Sequence, residues 1–334
     1  VRIAIDAMGG DNAPQEIVAG SLDAARAYPD VTLILVGDEG QIKQCAGANL
    51  PTNIEIVHTT EKIEAEDEPV KAVRRKKDSS MVVAARMVKD GLADGMVSAG
   101  NTGALMTAGL LIVGRVKGIE RPALASIWPT MGGNSMLTLD VGANMDAEAN
   151  HLYQYALMAN AYAQIVLEQE KPRIGLLNIG AEPGKGDKLR KEAYPLLEAG
   201  PFHFVGNIEA REAMNDKCDV LVADGFTGNN MLKLIEGFGL GIFGELKKIF
   251  YKSALTKLAA LALKSGLSAF KKKFDYAEYG GAPLLGIDGA VIKAHGSSNA
   301  RAFRMAIHQA RAFLKGDVLG KIRTDLSAGG EEKA

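Results

Sequence analysis

Lysine, asparagine, histidine and aspartate recur in this chain inside short glycine-rich turns, a combination suited to holding an anion or a developing oxyanion. The turns read Asp6-Ala-Met-Gly-Gly-Asp11, Ser98-Ala-Gly-Asn-Thr-Gly103, Asp140-Val-Gly-Ala-Asn144, Asn178-Ile-Gly-Ala-Glu-Pro-Gly-Lys-Gly186, Asp224-Gly-Phe-Thr-Gly-Asn-Asn230 and His295-Gly-Ser-Ser-Asn299. Each follows a short apolar run and opens a helical pattern. Glycine lets backbone approach a ligand closely, and a helix start offers unpaired N–H groups and a positive dipole end. In a parallel α/β sheet such turns lie at the carboxyl ends of strands, where ligands bind. The pattern therefore predicts six turns converging on one site.

The elements that position them follow from periodicity. Strands are predicted at 2–6, 31–36, 54–58, 95–98, 124–127, 135–140, 173–178, 202–206, 220–223 and 290–293, mostly as continuous apolar runs covered on both faces. Helices are predicted at 14–27, 79–89, 102–113, 147–168, 188–197, 230–250 and 299–314. Alternation over nearly the whole length indicates an α/β fold, a doubly wound, mostly parallel sheet with helices on both faces. One unit is expected over 1–325, with a flexible tail at 326–334. Residues 252–274 break the alternation as two short helical pieces meeting near Ser265-Gly266.

Composition narrows the class. The 334 residues are 47% hydrophobic and 24% charged, as in a soluble globular protein, and the net charge of −1 disfavours a general nucleic-acid binder. Cys45 and Cys218 are too few for a metal site, and no leader is evident before Arg2-Ile-Ala-Ile5, so a reducing cytoplasm is expected. No apolar run approaches the ~20 residues needed to cross a bilayer.

Two motif matches fail on context. Gly239-Leu-Gly-Ile-Phe-Gly244 fits a dinucleotide pattern but lies inside a helical segment, where small residues serve close helix packing. Gly180-Ala-Glu-Pro-Gly-Lys-Gly186 resembles a phosphate loop, yet Gly186 stands where magnesium needs Ser or Thr. His58, His151, His203, His295 and His308 lack metal-ligand spacing, and no G-x-S-x-G elbow is present. The expected chemistry uses no metal, no cofactor and no covalent enzyme intermediate.

Taken in order, the turns, together with Tyr279-Gly-Gly-Ala-Pro-Leu-Leu-Gly286, resemble the bacterial phosphate acyltransferases of phospholipid synthesis (the PlsX family) over residues 1–325. The resemblance implies transfer of a long-chain acyl group from acyl-carrier-protein thioester to inorganic phosphate, giving an acyl phosphate for a membrane glycerol-3-phosphate acyltransferase. It also implies a homodimer and a fold similar to isocitrate and isopropylmalate dehydrogenases and phosphate acetyltransferase. The sequence holds no aspartate cluster like those dehydrogenases' metal site, so neither NAD nor magnesium is carried over.

Such a reaction needs a held phosphate, donors for a tetrahedral oxyanion and stabilisation of the leaving thiolate. Lys185, beside Gly184, is the expected positive charge at the centre; a solvated loop lysine would have the same surroundings. Asn229 and Asn230 would donate to oxyanion or phosphate, or cap the helix that follows Asp224. Ser98, Asn101, Thr102 and Gly103 would form a phosphate nest, although capping also explains Asn101 or Thr102. Gly9, Gly10 and Asn144 are further candidates for substrate binding. Asp6, Asp11, Asp140 and Asp224 would orient Lys185, move a proton or satisfy turn amides. His295 is the candidate acid for the thiolate, or a structural histidine.

In the 252–274 pieces Leu255, Leu258, Leu261, Leu263, Leu267 and Phe270 are bordered by lysines, which fits an anionic membrane surface or a subunit interface. The expected location is therefore cytoplasmic, peripheral to the inner face of the cell membrane. An acidic carrier protein needs a basic docking surface, for which Arg74, Arg75, Lys76 and Lys77 and the run Lys271, Lys272 and Lys273 are candidates. Competing readings are a short-chain, coenzyme A-dependent phosphate acyltransferase, a β-decarboxylating dehydrogenase and a non-catalytic membrane adaptor.

Overall fold

The apolar runs form eleven described strands: β1 (Arg2–Asp6), β2 (Thr32–Gly37), β3 (Ile54–His58), β4 (Gly95–Ser98), β5 (Ala123–Pro129), β6 (Ser135–Leu139), β7 (Arg173–Asn178), β8 (His203–Glu209), β9 (Val220–Val222), β10 (Ala282–Leu285) and β11 (Ala290–Lys293). The computed structural model describes residues 1–47, 49–273 and 280–331. Phe274 of the predicted pieces, Tyr279 of the motif block and residues 332–334 of the expected tail lie outside them.

The strands make one sheet in the order β3-β2-β1-β4-β11-β10-β5-β6-β9-β7-β8. Its pairings are parallel except β11–β10, β10–β5 and β5–β6. Those three reversals leave β6, β9, β7 and β8 running opposite to β1, β2, β3, β4 and β11. The six turns therefore divide into two clusters of three, which corrects the expectation of one common edge. β10 escaped sequence reading because it is short, lies between Gly281 and Gly286, and contains Pro283, a residue normally confined to edge strands.

Helices cover both faces. α1 (Gln15–Ala27) and α11 (Ala300–Lys315) bury Ile17, Val18, Phe303 and Ile307 against the β1 side. On the opposite face α4 (Ser80–Lys89) and α5 (Thr102–Ala108) bury Met81, Val82, Leu105 and Ala108. A π-helical turn, Gly109–Val113, completes the predicted 102–113 helix. α6 (Ala149–Val166) and α12 (Val318–Glu331) cover the other half through Tyr155, Tyr162, Val318 and Ile322. α12 extends through positions 326–331, where a tail was expected.

Shorter helices are set by caps. α2 (Glu39–Ala46) starts where Asp38 accepts the Gln41 amide at 2.8 Å, and α3 (Pro69–Arg75) where Glu68 accepts from Val70 and Lys71. α7 (Lys188–Glu198) is capped by Asp187. α8 (Gly225–Tyr251) begins five residues before its predicted start, because Asp224 accepts the Thr227 amide at 2.9 Å. α9 (Ala254–Ala262) and α10 (Lys264–Lys273) are the two pieces of the interrupted stretch.

Candidate functional site

The first turn cluster forms where β1, β4 and β11 end. Asp6 is buried and accepts the hydroxyls of Ser80 at 2.5 Å and Ser98 at 2.6 Å. Burial pushes its carboxyl above the ordinary value, against the pull of those two hydroxyls. Gly9 and Gly10 bring the turn backbone against this carboxylate and its neighbours. A Cβ at Gly9 would stand 2.3 Å from Asp6 Oδ2, and Gly10 has φ +113°.

The predicted phosphate nest is committed to structure. Ser98 Oγ also accepts the Gly100 amide, while Asn101 Oδ1 caps α5 through Ala104 N and its Nδ2 donates to Ala65 O and Asp67 O. A Cβ on Gly103 would meet Pro69 of α3 at 2.6 Å. Thr102 is exposed at the first turn of α5. The side-chain donors of Ser98 and Asn101 are thus already directed into the fold.

His295 is on the exposed side of the same cluster. Its Nδ1 accepts the Ser297 amide at 3.2 Å and lies 2.8 Å from Ser297 Oγ. Burial and the neighbouring Lys293 hold its pKa below the ordinary value. The imidazole is thus neutral at pH 7, with the proton on Nε2, which suits a hydrogen-bond donor better than an acid.

Lys293, which sequence reading passed over, ends β11. Its Nζ donates to Ala99 O at 3.3 Å and to Ala294 O. Burial pushes the ammonium down to about 8, opposed by Asp6 and Asp11. The signal in the sequence was a lysine closing the apolar run Ala290-Val-Ile-Lys293, two residues before His295.

The second cluster forms where β6, β7 and β9 end. Asp140 Oδ1 accepts the amides of Leu124, Gly142 and Ala143; Oδ2 accepts the Asn144 amide and side chain. Asn144 Nδ2 also donates to Pro122 O at 2.6 Å. Asn144, predicted to bind substrate, is a strut of its own turn. The α8 start presses on that turn so closely that a Cβ at Gly228 would lie 1.9 Å from Asp140 O.

Asp224 is equally occupied. Beyond capping α8 it accepts the Thr227 hydroxyl and pairs with Arg190, a second residue missed from sequence. Arg190 also contacts Asp187 Oδ2 at 2.8 Å. Burial pushes the Asp224 carboxyl up, but the Thr227 and Arg190 contacts outweigh it and leave the group below its usual value. Both carboxylate oxygens are engaged, Oδ1 by the α8 cap and Oδ2 by Thr227 and Arg190, which gives Asp224 a positioning role in this geometry. A cavity of about 460 Å³ opens here, lined by Met145, Asp187, Arg190, Asp224, Phe226 and Thr227 among others. A larger one, about 600 Å³, lies at the other end of β7 and β8 beside Asn160, Tyr194 and Phe202, away from the turns.

Lys185 is exposed in the loop after β7, its aliphatic stem over Gly180, and the Asn178 side chain holds its carbonyl. Gly184 beside it stands open. Asn229 is half-buried on the first turns of α8 against Gly142. Asn230 is not part of this set: its amide donates to Phe226 O within the helix and it is exposed.

α8 links the clusters. Its 27 residues span about 40 Å, and Lys233 and Glu236 come within electrostatic reach of His295. Farther on, Leu255, Leu258, Leu261 and Leu263 are 78%, 66%, 73% and 54% exposed. The side chains of Lys271 and Lys272 lie outside the described residues. Arg74 and Arg75 are exposed at the end of α3, whereas Lys76 is taken up by Asp67 and Lys62 O and is a loop strut. Among the described residues no group of three His, Cys, Asp or Glu is arranged to hold a metal, and no helix is long and apolar enough to cross a membrane.

Similarity to known proteins covers the whole chain. Residues 1–321 match the family described as "Fatty acid synthesis protein". A phosphate acyltransferase of Brevibacillus brevis is 55% identical over 98% of this chain and 97% of its own length. One from Halalkalibacterium halodurans is 52% identical over 100% and 99%. Among solved structures, a phosphotransacetylase from Streptococcus pyogenes superimposes with TM-score 0.63 at 17% identity, covering 94% of each chain. A branched-chain phosphotransacylase from Enterococcus faecalis gives 0.56 at 15%, covering 94% and 99%. The structural matches show a shared fold, and the sequence matches show more: the chain belongs to the phosphate acyltransferase family of enzymes.

Proposed function

We propose that the chain transfers a long-chain fatty acyl group from acyl-acyl-carrier protein to inorganic phosphate. The product is an acyl phosphate for phosphatidic acid synthesis, formed by direct attack of phosphate on the thioester. Full-length identity to phosphate acyltransferases carries this reading. The two turn clusters with α8 between them support it, since each offers groups to one of the two substrates.

Lys185 supplies positive charge from the second cluster and Asn229 donates a hydrogen bond to oxyanion or phosphate; His295 donates from the first. Asp6, Asp140 and Asp224 hold the turns that position them. Exposed leucines on α9 favour a long-chain, membrane-delivered product over a short-chain coenzyme A substrate, and that face rests on the inner surface of the membrane, handing acyl phosphate to a glycerol-3-phosphate acyltransferase. Arg74 and Arg75 offer positive charge to an acidic carrier protein. The working unit is a homodimer.

The test is phosphate-dependent release of carrier-protein thiol from palmitoyl-acyl-carrier protein, without added metal or nucleotide. Wild type is expected to release thiol, and Lys185→Ala to lose about 10²-fold while folding normally. Release unaffected by the substitution removes Lys185 from the site. No release by folded wild type overturns the acyltransferase reading.

A further inference from the structure

Lys293 is placed by three converging turns. Its ammonium spends two N–H bonds on Ala99 O and Ala294 O, the first belonging to the turn after β4 and the second to its own. The charged groups facing it are Asp6 at the end of β1, Asp11 in the next turn and His295 two residues on, with Lys233 and Glu236 of α8 beyond His295. Backbone crowds around this point. The Asp11 amide donates to Gly296 O at 2.9 Å, and a Cβ at Gly10 would lie 2.9 Å from Ala99 Cβ and 3.1 Å from Gly296 O. A lysine held this way at strand carboxyl ends, where such sheets take ligands, has more than a solvated surface role.

We propose that Lys293 is the acid that protonates the sulfur leaving the thioester; this rests on the acyl-transfer reading above. A phosphate oxygen forms the new C–O bond and the C–S bond breaks with its electron pair going to sulfur. Sulfur takes a proton from the Lys293 ammonium. The resulting amine regains a proton from the acyl hydrogenphosphate, so the proton that phosphate brought ends on the thiol. His295 is a poorer acid, being held neutral, and Lys185 is open to solvent. Burial lowers the Lys293 ammonium to about 8, which makes it a stronger acid than an ordinary lysine and eases proton transfer to the departing thiolate.

Changing the leaving group tests the role. Lys293→Met and Lys293→Arg are compared with wild type on palmitoyl-acyl-carrier protein and on a thionitrobenzoate thioester, whose thiolate departs without a proton. We expect losses of about 10²-fold or more on the carrier-protein substrate, shrinking to a few-fold on the activated one. The wild-type rate should fall as pH rises through about 8, and Lys293→Arg should lose that limb. Equal losses on both substrates in the folded arginine variant, or no loss on either, overturn the proposal while leaving the acyltransferase intact. Absence of phosphate-dependent release by wild type overturns both.

Discussion

At the scale of single residues, the polar side chains of this site separate into those that hold structure and those left for substrate. Asp140, Asn144, Asn101 and Ser98 have their hydrogen-bonding atoms directed at backbone amides, carbonyls or Asp6. Asp224 and Arg190 form a pair whose side chains are only 8% and 10% exposed. Breaking such a pair strands a buried charge, so Asp224→Ala should cost about 3–5 kcal/mol in urea unfolding. Asp187→Ala, which removes an exposed partner and the α7 cap, should cost about 1 kcal/mol. Equal losses would mean that burial does not set the strength of this network. Residue types in the turns were legible in the sequence. Which side chains are consumed by their own turn was not, because partners such as Asp6 and Ser80 are far apart in the chain.

At the scale of elements, caps and close approaches decide position. Asp224 as N-cap moves the start of α8 to Gly225 and so places both Asn229 and Asn230 inside the helix, where Asn230 donates to Phe226 O. The break between α9 and α10 falls at Leu263, near the predicted junction, because Leu263 leaves the helical path there. The exposed leucines of α9 have a clear expected consequence. Leu258→Glu with Leu261→Glu should abolish co-sedimentation with anionic vesicles while leaving thiol release from soluble substrate within about twofold, as for surface substitutions generally. Parallel collapse of both readouts would make α9 part of the catalytic fold. Strand β10 shows the limit of local reading: Pro283 in a four-residue run between glycines argues against a strand, and only pairing with β5 and β11 on either side makes it one.

At the scale of the whole molecule, distant segments are tied by charge as well as by the sheet. Asp30, in the turn after α1, accepts from Lys315 and from Arg311 at 3.0 Å, both on α11. These contacts, Lys315 first, lower its carboxyl from 3.8 to about 2. A depressed acid stabilises the fold fully above its unfolded value and loses that contribution as pH falls through the folded one. The melting-temperature gap between wild type and Asp30→Asn should hold steady from pH 7 to above 4 and close towards pH 2. A gap unchanged at pH 2 would dismiss this tie as a source of acid sensitivity. By itself the sequence determined the fold class, most strands and helices, and where the glycine-rich turns between them fall, since periodicity and glycine-rich turns are local properties. Tertiary structure alone decided that two sets of strands run in opposite senses, that the turns form two clusters linked by α8, and that Lys293 and Arg190 lie within them. Strand direction and burial depend on pairings between residues far apart in sequence, which no local pattern encodes.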